Sequence, residues 1–215
     1  MFDAYLRDRA QRTGEPFIPF DPVKDYDEYV DGKPRADGVT SFLGSRGITL
    51  PEGQDDDPPS AETVHGLGNR KNEILLRRIR EDGVEAYPGS VTFVRAVKDA
   101  GMPRAVVSSS ANCRDVLIAA GIEDLFDARI DGVVAERDHL RGKPAPDTYL
   151  AGARALGLKP TAGAVFEDAL AGVAAGRAGG FGFVVGVDRV GQAQALREHG
   201  ADVVVTDLSE LMEHR

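Results

Sequence analysis

The segment Ala164-Val165-Phe166-Glu167-Asp168 joins a short apolar run to two adjacent carboxylates. A stretch of mostly small residues, 169–178, follows it and stops at Gly179-Gly180. An apolar run followed by a helix-forming stretch and a glycine stop predicts a buried β-strand that leads into an α-helix. The two carboxylates then lie where the strand ends and the helix begins.

The same alternation of strand and helix continues on both sides of this unit. From Pro88 onward, the predicted strands are 105–109, 164–166, 183–187 and 203–206, and the predicted helices are 90–100, 112–120, 144–156, 169–178 and 191–199. Continuously apolar strands that alternate with helices predict an α/β domain, with a parallel sheet covered by helices on both faces. Residues 1–87 are charged and mostly helical in pattern, and residues 70–80 are their clearest helix. We therefore expect an α-helical domain at 1–87 and an α/β domain at 88–215.

Composition and charge narrow the class of protein. The 215 residues carry a net charge of −9, which argues against a nucleic-acid partner because phosphate backbones attract clustered Lys and Arg. No apolar run approaches the roughly 20 residues of a membrane helix, so we expect no membrane partner. The acidic N-terminal residues do not resemble a signal peptide, and the single cysteine, Cys113, fits a reducing compartment. These features predict a cytoplasmic protein.

Polar residues follow two of the predicted strands and precede one predicted helix. They are Ser108-Ser109-Ser110 with Asn112, then Lys143, and then Glu167 with Asp168. Ligands of parallel sheets bind at the carboxyl ends of strands, where hydroxyls and helix N–H groups suit phosphate and paired carboxylates suit Mg²⁺. Taken singly, Asp168 and either Ser110 or Asn112 are explained equally well as helix caps, and Lys143 is better explained as a surface lysine. Their order on successive β-α units favours a magnesium-dependent phosphoryl-transfer site.

Three segments carry these polar residues: 106–110 (VVSSS), 142–147 (GKPAPD) and 165–172 (VFEDALAG). Together they resemble the second, third and fourth motifs of the haloacid dehalogenase superfamily, and in particular its β-phosphoglucomutase-like subfamily. The resemblance implies a Rossmann-like parallel sheet with helices on both faces and a small α-helical cap domain. It implies that Ser108 hydrogen-bonds the transferring phosphoryl group, that Lys143 stabilises it, and that Glu167 and Asp168 hold Mg²⁺. The residues implied to bind substrate phosphate are Ser109, Ser110 and Asn112.

Two segments of the N-terminal half resemble cap motifs of the same subfamily. Residues 31–39 (DGKPRADGV) are similar to a segment whose basic residues, here Lys33 and Arg35, clamp the second phosphate of a sugar phosphate. The planar guanidinium of Arg35 is suited to paired phosphate oxygens. Residues 69–72 (NRKN) are similar to a second cap motif in which Lys71 faces substrate. The partner implied is a small phosphorylated sugar, and the alternative for both segments is a solvated basic patch.

The first motif of the superfamily, a strand that ends in D-x-D-G-x-[TV], has no match in the sequence. Its first aspartate is the family's nucleophile, and its strand is normally central in the sheet. We therefore expect the first, central strand to be missing, and we interpret Met1 as an internal methionine of a longer protein. Another departure is Ala111, at a position where some relatives carry a basic residue.

Three hypotheses follow. The first is that the full-length parent is a β-phosphoglucomutase-like mutase or phosphatase that works through an aspartyl-phosphate, and that this chain alone is inactive because it lacks the nucleophile. The second is a non-catalytic phosphosugar-binding protein. The third is an inactive remnant or an interaction module. In each case we expect a monomer or a weak dimer.

Overall fold

The structure is a computed structural model, and it describes residues 1–212. The chain divides into two compact units. The helical unit consists of Met1–Asp31 and Arg35–Asp82, and the α/β unit consists of Gly32–Pro34 and the chain from Gly83 onward. Within residues 1–212, no helix is both long and apolar enough to cross a membrane.

The helical unit is built around an aromatic core. Its helices are α1 (Phe2–Thr13), α2 (Lys24–Tyr29), α3 (Arg35–Ser45) and α4 (Val64–Asp82). The rings of Phe2, Phe20 and Phe42 lie within 5.1 Å of one another, centroid to centroid, in tilted and edge-on arrangements that aromatic rings favour. The predicted helix 70–80 lies inside α4. This helix begins earlier because the hydroxyl of Thr63 accepts the Gly66 N–H at 2.9 Å and so caps its first turn.

The α/β unit confirms the predicted fold class. Its helices are α5 (Pro88–Asp99), α6 (Cys113–Ala119), α7 (Gly132–Arg137), α8 (Asp147–Ala155), α9 (Leu170–Ala178) and α10 (Ala193–Glu198). Its strands are β1 (Ala105–Val107), β2 (Ala128–Ile130), β3 (Ala164–Glu167), β4 (Phe183–Val187) and β5 (Val203–Val205). Every strand pair is parallel, as expected for strands joined through helices.

The five strands form two sheets, β1–β2 and β3–β4–β5. Among the strands of residues 1–212, β1 pairs only with β2, and β3 pairs only with β4. The two sheets share a core, since Val107 of β1 packs against the buried cluster that contains Tyr149 of α8 and Val165 of β3. The carboxyl ends of β1 and β3, where the predicted site lies, are therefore parts of one folded unit.

Candidate active site

Lys143 and Glu167 form a buried ion pair. The Lys143 Nζ lies 2.5 Å from the Glu167 Oε2, and their side chains are only 5% and 10% exposed. The segment that carries Lys143 is braced by Arg141, whose guanidinium donates to the Asp147 carboxylate at 2.9 and 3.0 Å. Asp147 begins α8, and Glu167 ends β3. Two residues that the sequence predicted on separate β-α units thus meet in the structure.

Tyr149 belongs to the same cluster, although the sequence motifs did not include it. Its ring is buried, its hydroxyl donates to the Glu167 Oε2, and the Lys143 Nζ lies 4.8 Å from its ring centroid. Burial is the largest cause that raises the pKa of Tyr149 well above its usual value, and the Glu167 charge adds to it. Tyr149 therefore remains a hydroxyl donor at neutral pH. The only indication in the sequence that Tyr149 belongs to this cluster was its position in α8, two residues after Asp147.

Glu167 is ionised in spite of its burial. Burial favours the neutral acid most strongly, but the charge of Lys143 and the hydrogen bonds from Lys143, Tyr149 and the Ala169 N–H together hold the pKa of Glu167 below its usual value. The Ala169 N–H donates to Oε1 at 3.1 Å. Both carboxylate oxygens thus have donors, which is what a buried charge requires.

The loop after β1 contains the predicted phosphate-binding serines. The Ser108 hydroxyl accepts the Ser110 N–H at 3.1 Å, and the Ser110 hydroxyl accepts the Asn112 N–H at 3.1 Å. A hydroxyl that accepts a backbone N–H keeps its own O–H to donate, so these turns are compatible with anion binding. Asn112 is the N-cap residue of α6 but makes no side-chain capping bond there. The chain folds into these turns because each hydroxyl can bond a backbone N–H two residues later.

Gly32 connects the loops that follow β1 and β3. The Ser109 hydroxyl donates to the Gly32 carbonyl at 2.7 Å. Gly32 has a φ of 69°, and a β-carbon on it would lie 3.0 Å from the Ala169 Cβ. The Ser109 hydroxyl therefore ties the chain at Gly32 to the loop after β1. Lys33 follows Gly32 directly in the chain, and both belong to the α/β unit.

The other two predicted basic residues lie in the helical unit. The half-buried Arg35 guanidinium donates to the Asn72 Oδ1 at 2.9 Å and to the Asn69 Oδ1 at 3.4 Å. Lys71 lies 5.7 Å from the centroid of the Tyr26 ring. Burial, and next the nearby charge of Arg35, lower the pKa of Lys71. Arg35 is held by two amide side chains, and its charge lies close enough to Lys71 to disfavour the Lys71 ammonium, so an anion bound near both cations would relieve their repulsion.

The predicted magnesium ligands have the right donor chemistry. Mg²⁺ is usually bound through one or two carboxylates, with waters and substrate phosphates as the remaining ligands. Asp168 is exposed, and its carbonyl accepts a hydrogen bond from the Gln192 Nε2 at 3.1 Å. Glu167 is engaged by Lys143 and Tyr149, and residues 1–212 contain no group of three or more His, Cys, Asp or Glu side chains placed to hold a metal ion. Glu167 would have to exchange its partners before it bound a cation.

Residues 7–180 match the model of the haloacid dehalogenase-like hydrolase family. The chain belongs to this family. The match extends across the loop after β1, the Lys143 segment and the end of β3.

Similarities to individual proteins support the same family assignment. The chain is 59% identical over 215 residues to a protein named beta-phosphoglucomutase from Mycobacterium bovis, and the alignment covers 99% of this chain and 82% of the relative. It is 31% identical over 194 residues to the beta-phosphoglucomutase of Bacillus subtilis, with 90% of this chain and 78% of the relative covered. The crystal structure of beta-phosphoglucomutase from Clostridium difficile superposes with a TM-score of 0.73 at 25% identity, over 98% of this chain and 86% of that one.

Proposed function

We propose that the chain carries the substrate-binding and charge-neutralising parts of a sugar-phosphate mutase or phosphatase. The observation that supports this most is the buried Lys143 ammonium, fixed on Glu167 at the carboxyl end of β3. Burying a lysine is costly even when its charge is paired, so a buried lysine at the end of a strand supports a role for its charge. The names of the relatives point to a phosphorylated glucose as the substrate class.

The roles follow from the chemistry of each side chain. Lys143 neutralises charge on the phosphoryl group, and Ser108 donates a hydrogen bond to it. The loop after β1 contributes Ser110 and Asn112 as further donors. Ser109 would contribute through its backbone N–H, because its hydroxyl donates to the Gly32 carbonyl. Lys33, Arg35 and Lys71 bind the phosphate that is not transferred. Paired donors with a fixed charge are typical of such clamps.

Members of this phosphoglucomutase family generally use Mg²⁺. We propose Glu167 and Asp168 as its protein ligands in this chain. The bound ion would add positive charge beside the phosphoryl oxygens.

A covalent route through this site needs a carboxylate nucleophile. The aspartates that follow β2 and β4 are engaged elsewhere. Asp131 accepts from Arg129 at 2.6 Å and from the Val134 N–H at 3.0 Å, and Asp188 accepts backbone N–H groups of residues 190–193. We therefore propose that residues 1–212 bind and position a sugar phosphate but do not form an aspartyl-phosphate.

The test combines binding with turnover. Calorimetric titration with glucose 6-phosphate should show binding that Lys143→Ala weakens at least tenfold, because the ammonium contributes a charge-assisted contact. Incubation with an aryl phosphate and Mg²⁺ should show no hydrolysis. Hydrolysis that disappears in Lys143→Ala would show that the chain has its own nucleophile, and undiminished binding by Lys143→Ala would contradict the assigned site.

A non-catalytic sugar-phosphate-binding protein is the second candidate, and the engagement of both Glu167 oxygens favours it. The two candidates differ in their response to Mg²⁺. If the site is built for phosphoryl transfer, Mg²⁺ should strengthen the binding of glucose 6-phosphate. A binding protein whose Glu167 stays paired with Lys143 should show the same affinity with and without Mg²⁺.

A further inference from the structure

We propose that Tyr149 is a positioning residue that holds the Glu167 carboxylate in place when Lys143 turns from Glu167 toward a bound phosphate. The inference deepens the proposed function and rests on it for the phosphate, whereas the claim about Glu167 concerns the protein alone. The observation that carries it is a hydroxyl placed on the same oxygen that Lys143 uses.

Lys143 and Tyr149 share one oxygen of the Glu167 carboxylate. The Glu167 Oε2 accepts from both the Lys143 Nζ and the Tyr149 hydroxyl, while Oε1 accepts the Ala169 N–H. A buried carboxylate that loses its cation becomes an uncompensated charge, which is strongly unfavourable. With Tyr149 present, Oε2 keeps one donor after Lys143 leaves. The cost of releasing Lys143 to an anion is therefore reduced.

The packing of α8 and α9 fixes both the Tyr149 hydroxyl and the Glu167 carboxylate. Tyr149 is packed edge-on against Phe181, with ring centroids 5.9 Å apart, so its hydroxyl has little freedom to follow Lys143. On the other side, a β-carbon at Gly172 would lie 2.2 Å from the Glu167 Cδ. The carboxylate is thus confined between the backbone of α9 and the hydroxyl from α8. The ring of Tyr149 also faces the Lys143 ammonium, which gives the cation a partner that does not depend on Glu167.

Crystal structures of two variants, without any ligand, test whether Tyr149 holds the Glu167 carboxylate in place. In Lys143→Met, the Glu167 Oε1 should stay within hydrogen-bond distance of the Ala169 N. In Lys143→Met combined with Tyr149→Phe, it should move away. Movement already in the single variant, or none in the double variant, would overturn the proposal. If the double variant does not fold, the structure of Tyr149→Phe alone is determined instead. Glu167 in more than one conformer would support the role of Tyr149, and a single unchanged conformer would contradict it.

Titration with inorganic phosphate tests the consequence for binding. Tyr149→Phe should bind phosphate about tenfold more weakly than the parent, the usual size of effect for one hydrogen bond to a charged group. The matched control is Tyr5→Phe, since the Tyr5 hydroxyl donates to the Glu62 carboxylate at 3.2 Å in the helical unit. That control should leave phosphate affinity unchanged. Equal affinities in Tyr149→Phe and the parent overturn the inference, whereas a parent that binds no phosphate contradicts the proposed function and leaves the crystallographic result to decide the role of Tyr149.

Discussion

Glu167 occupies the space that a side chain at Gly172 would need. A β-carbon there would lie 2.2 Å from the Glu167 Cδ and 2.3 Å from its Oε2, closer than real β-carbon contacts come. Because Glu167 is buried and accepts hydrogen bonds at both oxygens, moving its carboxylate aside would break those bonds. The glycine in the first turn of α9 is therefore required by the carboxylate at the end of β3.

Gly172→Ala should displace Glu167 and disrupt its pair with Lys143. We expect a loss of about 1–3 kcal/mol in the free energy of unfolding, as for other overpacked cores, measured by urea denaturation. Phosphate binding should fall as well. The matched control is Gly176→Ala in the same helix, where a β-carbon would meet Val165 at 3.2 Å and the site is not touched. Equal phosphate affinity in the two variants would show that Gly172 is not required by the site.

Lys143→Ala should destabilise the α/β unit through the charge left behind. Removing one member of a buried ion pair costs about 3–5 kcal/mol because the partner stays buried without compensation. Lys143→Met together with Glu167→Gln removes both charges and should recover most of this loss. Urea denaturation of the parent, the single variant and the double variant measures the effect. A double variant that is less stable than the single one would contradict the charge argument.

The sequence was informative where chemistry and periodicity coincide. The predicted strand 183–187 agrees with β4, since an uninterrupted apolar run of this length is typical of a strand buried in a parallel sheet. The motifs around Lys143 and Glu167 likewise predicted two residues that the structure brings together. By contrast, β2 was missed, because Arg129 occupies the middle of a three-residue strand and removes the apolar signal.

Contacts between elements that lie far apart in sequence could not be predicted in this way. Tyr149 and Glu167 are 18 residues apart, and their hydrogen bond depends on how α8 packs beside β3. A tyrosine on an amphipathic helix is most simply interpreted as a core residue. The close approach of Gly172 to Glu167 is similar, since glycine in a helix has no local signature of what it accommodates.

Lys71→Met should stabilise the helical unit and weaken binding of a sugar phosphate. Burial, and next the charge of Arg35, disfavour the Lys71 ammonium in the folded state and so lower the pKa of Lys71. Removing the charge should therefore raise the free energy of unfolding by about 1 kcal/mol, a common size for stabilising substitutions. Lys24→Met, at an exposed position of the same unit, is the control and should change neither property.

The stabilisation by Lys71→Met should decrease as the pH rises. The folded pKa lies below the unfolded value of 10.5, so the cost of the charge is fully present below the folded pKa. It decreases as the pH rises through the folded pKa and disappears above the unfolded pKa, where the lysine is neutral in both states. The difference in unfolding free energy between Lys71→Met and the parent should therefore shrink between neutral pH and about 10.5. A difference that grows over this range would contradict the assigned direction.

Arg189→Ala should weaken the α/β unit where three of its segments meet. The Arg189 guanidinium lies 3.8 Å from the Tyr87 ring centroid and donates to the Ser90 Oγ at 2.9 Å and to the Thr206 carbonyl at 3.1 Å. Losing these contacts should cost about 2 kcal/mol in the free energy of unfolding, measured by urea denaturation. Arg189→Lys should recover less than half of it, because an ammonium cannot stack on the ring and reach both acceptors at once. Arg197→Ala, at an exposed position of α10, is the control and should be neutral. A lysine variant as stable as the parent would show that charge alone, and not the planar stacking of the guanidinium, holds the start of α5 to the ends of β4 and β5.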